Sequence, residues 1–135
     1  MAEAVRVRPE ILREMLLDAL REPQIECCGL LAGRDGVITA IFPAQNALAS
    51  ATAYEIAPPE LFVLFRRIRE RGLIHLGLYH SHPRGDNAPS ARDIEQAYYP
   101  DSVYFIVSPR PDAPCAVRAF SIREGRIREL EILAT

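Results

Sequence analysis

His80 and His82 stand at the end of an apolar run, residues 73–80, and Pro83 follows them directly. No other segment constrains the fold of this chain as tightly. Side chains of an extended strand alternate with period two, so both imidazoles leave one face while Ser81 points to the other. Proline has no N–H for a sheet ladder, so the strand stops there. A loop of Pro, Gly, Asp and Asn over residues 83–89 leads to Ser90, a good N-cap, with Asp93 at the third position of the helix that follows. If the loop carries the chain back over the strand end, the Asp93 carboxylate meets the two histidines. His-x-His alone is often a coincidence of surface or core. With the proline, the capping serine and the aspartate in register, it reads as three ligands for Zn²⁺, which in catalytic sites keeps a fourth position open.

The remaining elements follow from periodicity. Pro9 opens a helix with Ile11, Leu12, Met15, Leu16 and Leu20 on one face, ended by Arg21-Glu22-Pro23. Residues 27–32 and 37–42 form a hairpin about Gly33-Arg34-Asp35-Gly36. Residues 43–53, small and polar, read as a mobile loop, and Tyr54-Glu55-Ile56 as a brief edge strand. Pro58-Pro59 begins a second helix, through about Arg71, with Leu61, Phe62, Phe65 and Ile68 on its inner stripe. The helix capped by Ser90 runs to about Tyr98, and strands are expected over 102–107, 115–122 and 126–132. The expected fold class is α/β: a single domain over residues 1–135, with a mixed β-sheet flanked by helices.

Composition excludes several classes. The net charge is −2 and all sixteen basic residues are scattered arginines, so no electrostatic footprint for nucleic acid is present. No apolar run reaches the length of a membrane span, and the N-terminal residues lack the apolar core of a signal peptide. Three cysteines, two of them adjacent, do not make a disulfide framework. The cytoplasm is the expected compartment, and Cys27 and Cys28 read as ordinary strand packing.

Metal-assisted hydrolysis also needs a group that takes a proton from water and passes it to the leaving group. Glu26, Glu55 and Glu95 are the candidates. Glu95 is two positions from Asp93 and so on another helix face, and Glu55 lies beside the polar loop. Glu26 begins a strand expected near the sheet centre, where burial raises a carboxyl pKa toward a useful value. The residues alone leave the choice open. Ser90 carries two compatible readings, because a hydroxyl that accepts a capping N–H still has a hydrogen to donate to a developing oxyanion. His75, five positions before His80, faces away from the ligands on a regular strand, and Arg84 sits at the mouth of the site.

Glu26 with Cys27-Cys28-Gly29-Leu30-Leu31, His80-Ser81-His82-Pro83, and the spacing of Ser90 and Asp93 resemble the JAMM (MPN+) zinc metalloprotease family, in its compact bacterial branch. The likeness covers about residues 10–130. It implies a cytidine-deaminase-like architecture, His80, His82 and Asp93 as zinc ligands, Glu26 as general acid/base and Ser90 as oxyanion stabiliser. Members that cleave ubiquitin chains carry an added segment after the metal-binding helix. Here only Tyr99-Pro100-Asp101 intervenes, which argues against ubiquitin chains. The compact members resemble enzymes acting on ubiquitin-like sulfur-carrier proteins whose tails end in Gly-Gly, and one such reaction releases cysteine. The expected function is therefore hydrolysis of an amide after such a tail, by a zinc metallopeptidase with no nucleic-acid or membrane partner. The alternatives are an isopeptidase with another substrate and a non-catalytic scaffold of the same fold, though scaffold members usually lose the ligands that this chain keeps. A DNA-repair-associated relative fits less well, because Ser81 stands where its loop has Asn. The zinc-deaminase signature is absent, since Pro114-Cys115 has no second cysteine after it.

Overall fold

A computed structural model describes residues 3–135. The elements run β1 (Ala4–Val7), α1 (Pro9–Arg21), β2 (Cys28–Arg34), β3 (Val37–Ala44), α2 (Pro58–Glu70), β4 (Ile74–Ser81), α3 (Ala91–Glu95), β5 (Val103–Val107), β6 (Val117–Arg123) and β7 (Arg126–Ala134). Both long helices begin with proline in their first turn, where a missing N–H costs no helical hydrogen bond. The β2–β3 turn holds Asp35 and Gly36 at φ 54° and 75°, and Glu124-Gly125 does the same between β6 and β7. Positive φ at both central residues suits a tight hairpin turn.

The strands lie in the order β1-β3-β2-β4-β5-β6-β7, and β1 pairs in parallel with β7, closing the sheet on itself. β4 and β5 are parallel, whereas β2 runs antiparallel to both of its neighbours, β3 and β4. The central strands are apolar on both faces. Leu31, Tyr79, Phe105 and Val107 pack with Ile11, Met15 and Ala19 of α1, while Leu30, Leu78 and Ile106 pack with Leu64 and Ile68 of α2. Runs such as Cys28–Gly33 are thus buried without alternation, as expected of strands covered on both sides.

The mixed sheet and its two long helices agree with the sequence reading, and several local expectations are corrected. Phe62 is 66% exposed, and Leu64 takes the place assigned to it on the inner stripe of α2. Residues 54–56 form no strand, and α3 ends at Glu95 rather than near Tyr98. β1 has no counterpart in the sequence reading. His75 lies on the α2 side, edge-on to Phe65 with ring centroids 5.0 Å apart. The cause is a register shift in the β2–β4 ladder, where Leu31 pairs Gly77 but Ala32 pairs His75. One extra residue reverses the alternation, so His75 shares a face with Leu78 and His80.

On the opposite face, the buried Tyr79 hydroxyl donates to Asp18 Oδ2 at 2.7 Å, tying β4 to α1. Hydrogen bonds to a charged group contribute about 1.5–3 kcal/mol. Tyr79→Phe is therefore expected to lower the unfolding free energy in urea by about that amount and to leave metal binding unchanged.

Candidate metal centre

β4 ends beside the start of β2, with His80 opposite Cys28. His80 and His82 project on one side, and Ser81 on the other. Asp93 is delivered by α3, whose start is fixed by a capping box. Ser90 Oγ accepts from the Asp93 N–H at 3.1 Å, while Asp93 Oδ2 accepts from the Ser90 N–H at 2.9 Å. This reciprocal pair satisfies two helix-end donors and sets the direction of the carboxylate.

The three side chains converge. His80 Nε2 lies 3.0 Å from His82 Nε2 and 3.2 Å from Asp93 Oδ1, and His82 Nε2 lies 3.0 Å from Asp93 Oδ2. They form a group able to hold a metal ion, its ligand atoms all within 4.8 Å of one another. His82 Nδ1 donates to the Asp86 carbonyl at 2.7 Å, which fixes the ring so that Nε2 is the nitrogen turned toward His80 and Asp93. His80 is fully buried, and Tyr54 stacks on it at 4.7 Å between centroids.

The charges follow from these contacts. Burial alone would raise the Asp93 carboxyl, but hydrogen bonds from His80 and His82 hold it far below the ordinary carboxylate range. Burial lowers His80 more than Asp93 raises it. For His82 burial also acts downward, yet the Asp93 carboxylate and the Asp86 carbonyl raise it overall. A cation seated here would therefore displace a proton from His82, as metal binding to histidine generally does.

Glu26 lies two residues ahead of β2 rather than within it, a correction to its expected place at the strand start. Extending the β2–β4 pairing beyond Cys28 and His80 brings it opposite His82. It is 4% exposed, and its Oε1 has no hydrogen-bond partner among the described residues. Burial pushes its carboxyl up to about 7, with His82 opposing and Asp93 adding to the rise. Glu55, Glu95 and Arg84 are exposed, and the structure does not bring them into the group.

Three residues near the group were not singled out by the sequence reading. Ser81 Oγ, on the reverse face of β4, accepts from the Cys27 N–H at 2.8 Å. Tyr54 covers His80. Asn46 is buried and bound to the main chain of Glu26 at 3.0 Å, so the loop read as mobile is anchored. The one local signal was Asn46 itself, a residue with two donors and an acceptor in an otherwise small-residue loop. The thiols are unpaired, and burial pushes Cys27 up to about 12, which keeps it protonated.

Known proteins resemble this chain over most of its length. The model for prokaryotic homologs of the JAB domain matches residues 8–123. A desampylase from Haloferax volcanii is 39% identical over 109 residues, covering 78% of either chain. A CysO-cysteine peptidase from Mycobacterium tuberculosis is 30% identical over 125 residues, covering 91% of this chain and 86% of its own. Among solved structures, a protein from Desulfitobacterium hafniense superposes with a TM-score of 0.86 at 31% identity, covering 97% of this chain and 92% of the other.

Proposed function

This chain belongs to the family of prokaryotic homologs of the JAB domain, and from that premise we propose that it is a zinc-dependent peptidase. Its substrate would be an amide formed by the C-terminal Gly-Gly of a ubiquitin-like sulfur-carrier protein, with cysteine as one leaving group. The observation that carries this reading is a buried carboxyl with an unpartnered oxygen and a pKa near 7, aligned with a three-residue metal group. The relatives named desampylase and CysO-cysteine peptidase support the substrate class. The connection from α3 to β5 spans residues 96–102, longer than the three residues expected from the sequence but still short, which argues against ubiquitin chains.

The residues fit zinc. A tetrahedral ion with bonds of about 2.0–2.1 Å sets its ligand atoms about 3.3 Å apart. Here the two imidazole Nε2 atoms are 3.0 Å apart, and each faces a different Asp93 oxygen, at 3.2 and 3.0 Å. One ligand atom from each residue lies within 4.8 Å of the others. Two imidazoles and one carboxylate match its ligand chemistry, and His80, His82 and Asp93 would hold it. When bound, zinc supplies a Lewis acid that acidifies water and polarises the scissile carbonyl.

The chain's own groups do the rest. Glu26 accepts the proton of the attacking water and holds it through the tetrahedral intermediate. It delivers that proton to the amide nitrogen as the C–N bond breaks, so that a neutral amine departs. Ser90 Oγ, already accepting the Asp93 N–H, keeps its hydroxyl hydrogen free to donate to the oxyanion. β1 pairs β3 only at Val37 and Ile38, so the outer edge of β3 beyond them has no strand neighbour among the described residues. An extended tail can add there, with residues 43–57 beside it. The unpaired thiols and the net charge of −2 support a cytoplasmic protein without a nucleic-acid partner. No helix of the described residues is long and apolar enough to cross a membrane.

The pH dependence has a definite sign. A base works deprotonated, and burial raises Glu26 from 4.5 to about 7, while a bound cation pulls it back down. Activity is thus expected to rise with pH through an acid limb between those two values, and the limb should be missing in Glu26→Gln. To test the function, the zinc-loaded protein is offered a carrier–cysteine conjugate, a carrier–lysine isopeptide and a ubiquitin chain. Cleavage of a carrier conjugate, with the chain left intact, is expected. Hydrolysis of the chain alone would overturn the substrate assignment.

A further inference from the structure

We propose that Asn46 is a positioning residue for Glu26, fixing the main chain of the base and locking it to the loop that flanks the cleft. This rests on the hydrolase reading above but uses a different set of contacts. Glu26 precedes β2, so no sheet ladder holds its backbone. Its N–H donates to the Ser50 carbonyl at 2.8 Å, and its carbonyl accepts from Asn46 Nδ2 at 3.0 Å. Both main-chain groups of the base are therefore held by one loop. The next residue is fixed from the other side, where Cys27 exchanges hydrogen bonds with Ser81 through N–H to Oγ at 2.8 Å and carbonyl to N–H at 3.1 Å.

The Asn46 carboxamide is used at both ends. Nδ2 also donates to Ala53 at 3.0 Å, while Oδ1 accepts from the N–H groups of Leu48 at 3.0 Å and Glu55 at 3.2 Å. Only a primary amide supplies two donors and a doubly accepting oxygen from one short side chain. Asn46 is 6% exposed and its bond to the Glu26 carbonyl is buried, where an unmade partner is costly, while the others are partly buried. The turn that Asn46 closes keeps Ala49 at φ 46°, an uncommon conformation for alanine that persists when surrounding contacts over-determine it. The same loop carries Tyr54 onto the His80 ring. One side chain thus registers the base, the loop and the cover of a metal ligand against each other. Misplacing a reacting group by about 1 Å can cost on the order of 100-fold in rate.

Asn46→Asp isolates the point, because it keeps the oxygen that accepts from Leu48 and Glu55 and loses both donors. Asn46→Ala loses all of these bonds, and with them a longer contact from Nδ2 to the Ser50 carbonyl at 3.5 Å. The full zinc-loaded chain is compared with each variant for zinc content, kinetics on a carrier–cysteine conjugate, and amide hydrogen exchange. In Asn46→Asp we expect zinc content unchanged, kcat down by roughly 10–100-fold with KM within about twofold, and Glu26 N–H exchange faster by about tenfold while the Leu48 amide stays protected. If Asn46→Ala fails to fold, Asn46→Asp carries the test. Unchanged protection at Glu26, or a raised KM with kcat intact, would overturn the proposal. A wild-type chain that cleaves no conjugate, yet shows the exchange pattern in the variant, would refute the substrate reading while supporting the clamp.

Discussion

Glu26→Gln is expected to lower kcat by about 10²–10⁴-fold, the usual contribution of a positioned proton-transfer group, while bound zinc stays at the wild-type level. The substitution keeps the size and shape of the side chain and removes only its ability to take a proton. Glu26 suits the test because its carboxyl is buried, its Oε1 has no partner, and its pKa of about 7 matches the pH at which a base must gain and lose a proton. No other glutamate near the metal group competes, since Glu55 and Glu95 are both exposed. If the variant lost zinc along with activity, Glu26 would act as a ligand rather than a base. Kinetics and metal content measured on one preparation separate the two.

His82→Ala is expected to abolish both zinc binding and hydrolysis. His82 is the cleaner choice among the three ligands. Asp93 also closes the capping box of α3, so its loss removes a helix cap as well as a ligand. His80 lies fully buried beneath Tyr54, and its truncation would open a cavity. His82 is held at its rim by the Asp86 carbonyl and by Asp93, and truncating it disturbs less of the fold. The readout need not be activity. A ligand at one hundred times its dissociation constant stabilises a protein by about 2.7 kcal/mol, so zinc should raise the melting temperature of wild type. The same zinc should leave His82→Ala unmoved, and a chelator should reverse the wild-type shift.

The parts of the site that were legible in the sequence are those set by local periodicity. His80 and His82 share a face because strand alternation demands it, and Asp93 is aimed by a helix start that Ser90 announces. Glu26 was harder, because its position depends on the pairing of two strands some fifty residues apart, and single-residue arguments left three glutamates in play. The resemblance selected Glu26, and the structure shows the burial that distinguishes it. His75 was misassigned for a reason that periodicity cannot reveal. One unpaired residue in the β2–β4 ladder reverses every side chain beyond it. Phe62 failed because a helical stripe names candidates without saying where the partner sheet stops. β1 is four residues long and is held by tertiary pairing with β3 and β7, so its own pattern is too short to read. Asn46 and Tyr54 belong to a polar loop whose order comes from side chain to main chain bonds, and such networks leave little mark on composition.

The most direct measurement is a zinc titration of the metal-stripped chain, following bound metal and hydrolysis of a carrier–cysteine conjugate in the same samples. The expected result is a rate that rises in proportion to bound zinc and levels off at one ion per chain, with Glu26→Gln binding the same amount and turning over at no more than about one hundredth of the wild-type rate. Full hydrolysis by the stripped chain, or wild-type turnover by Glu26→Gln, would contradict the mechanism.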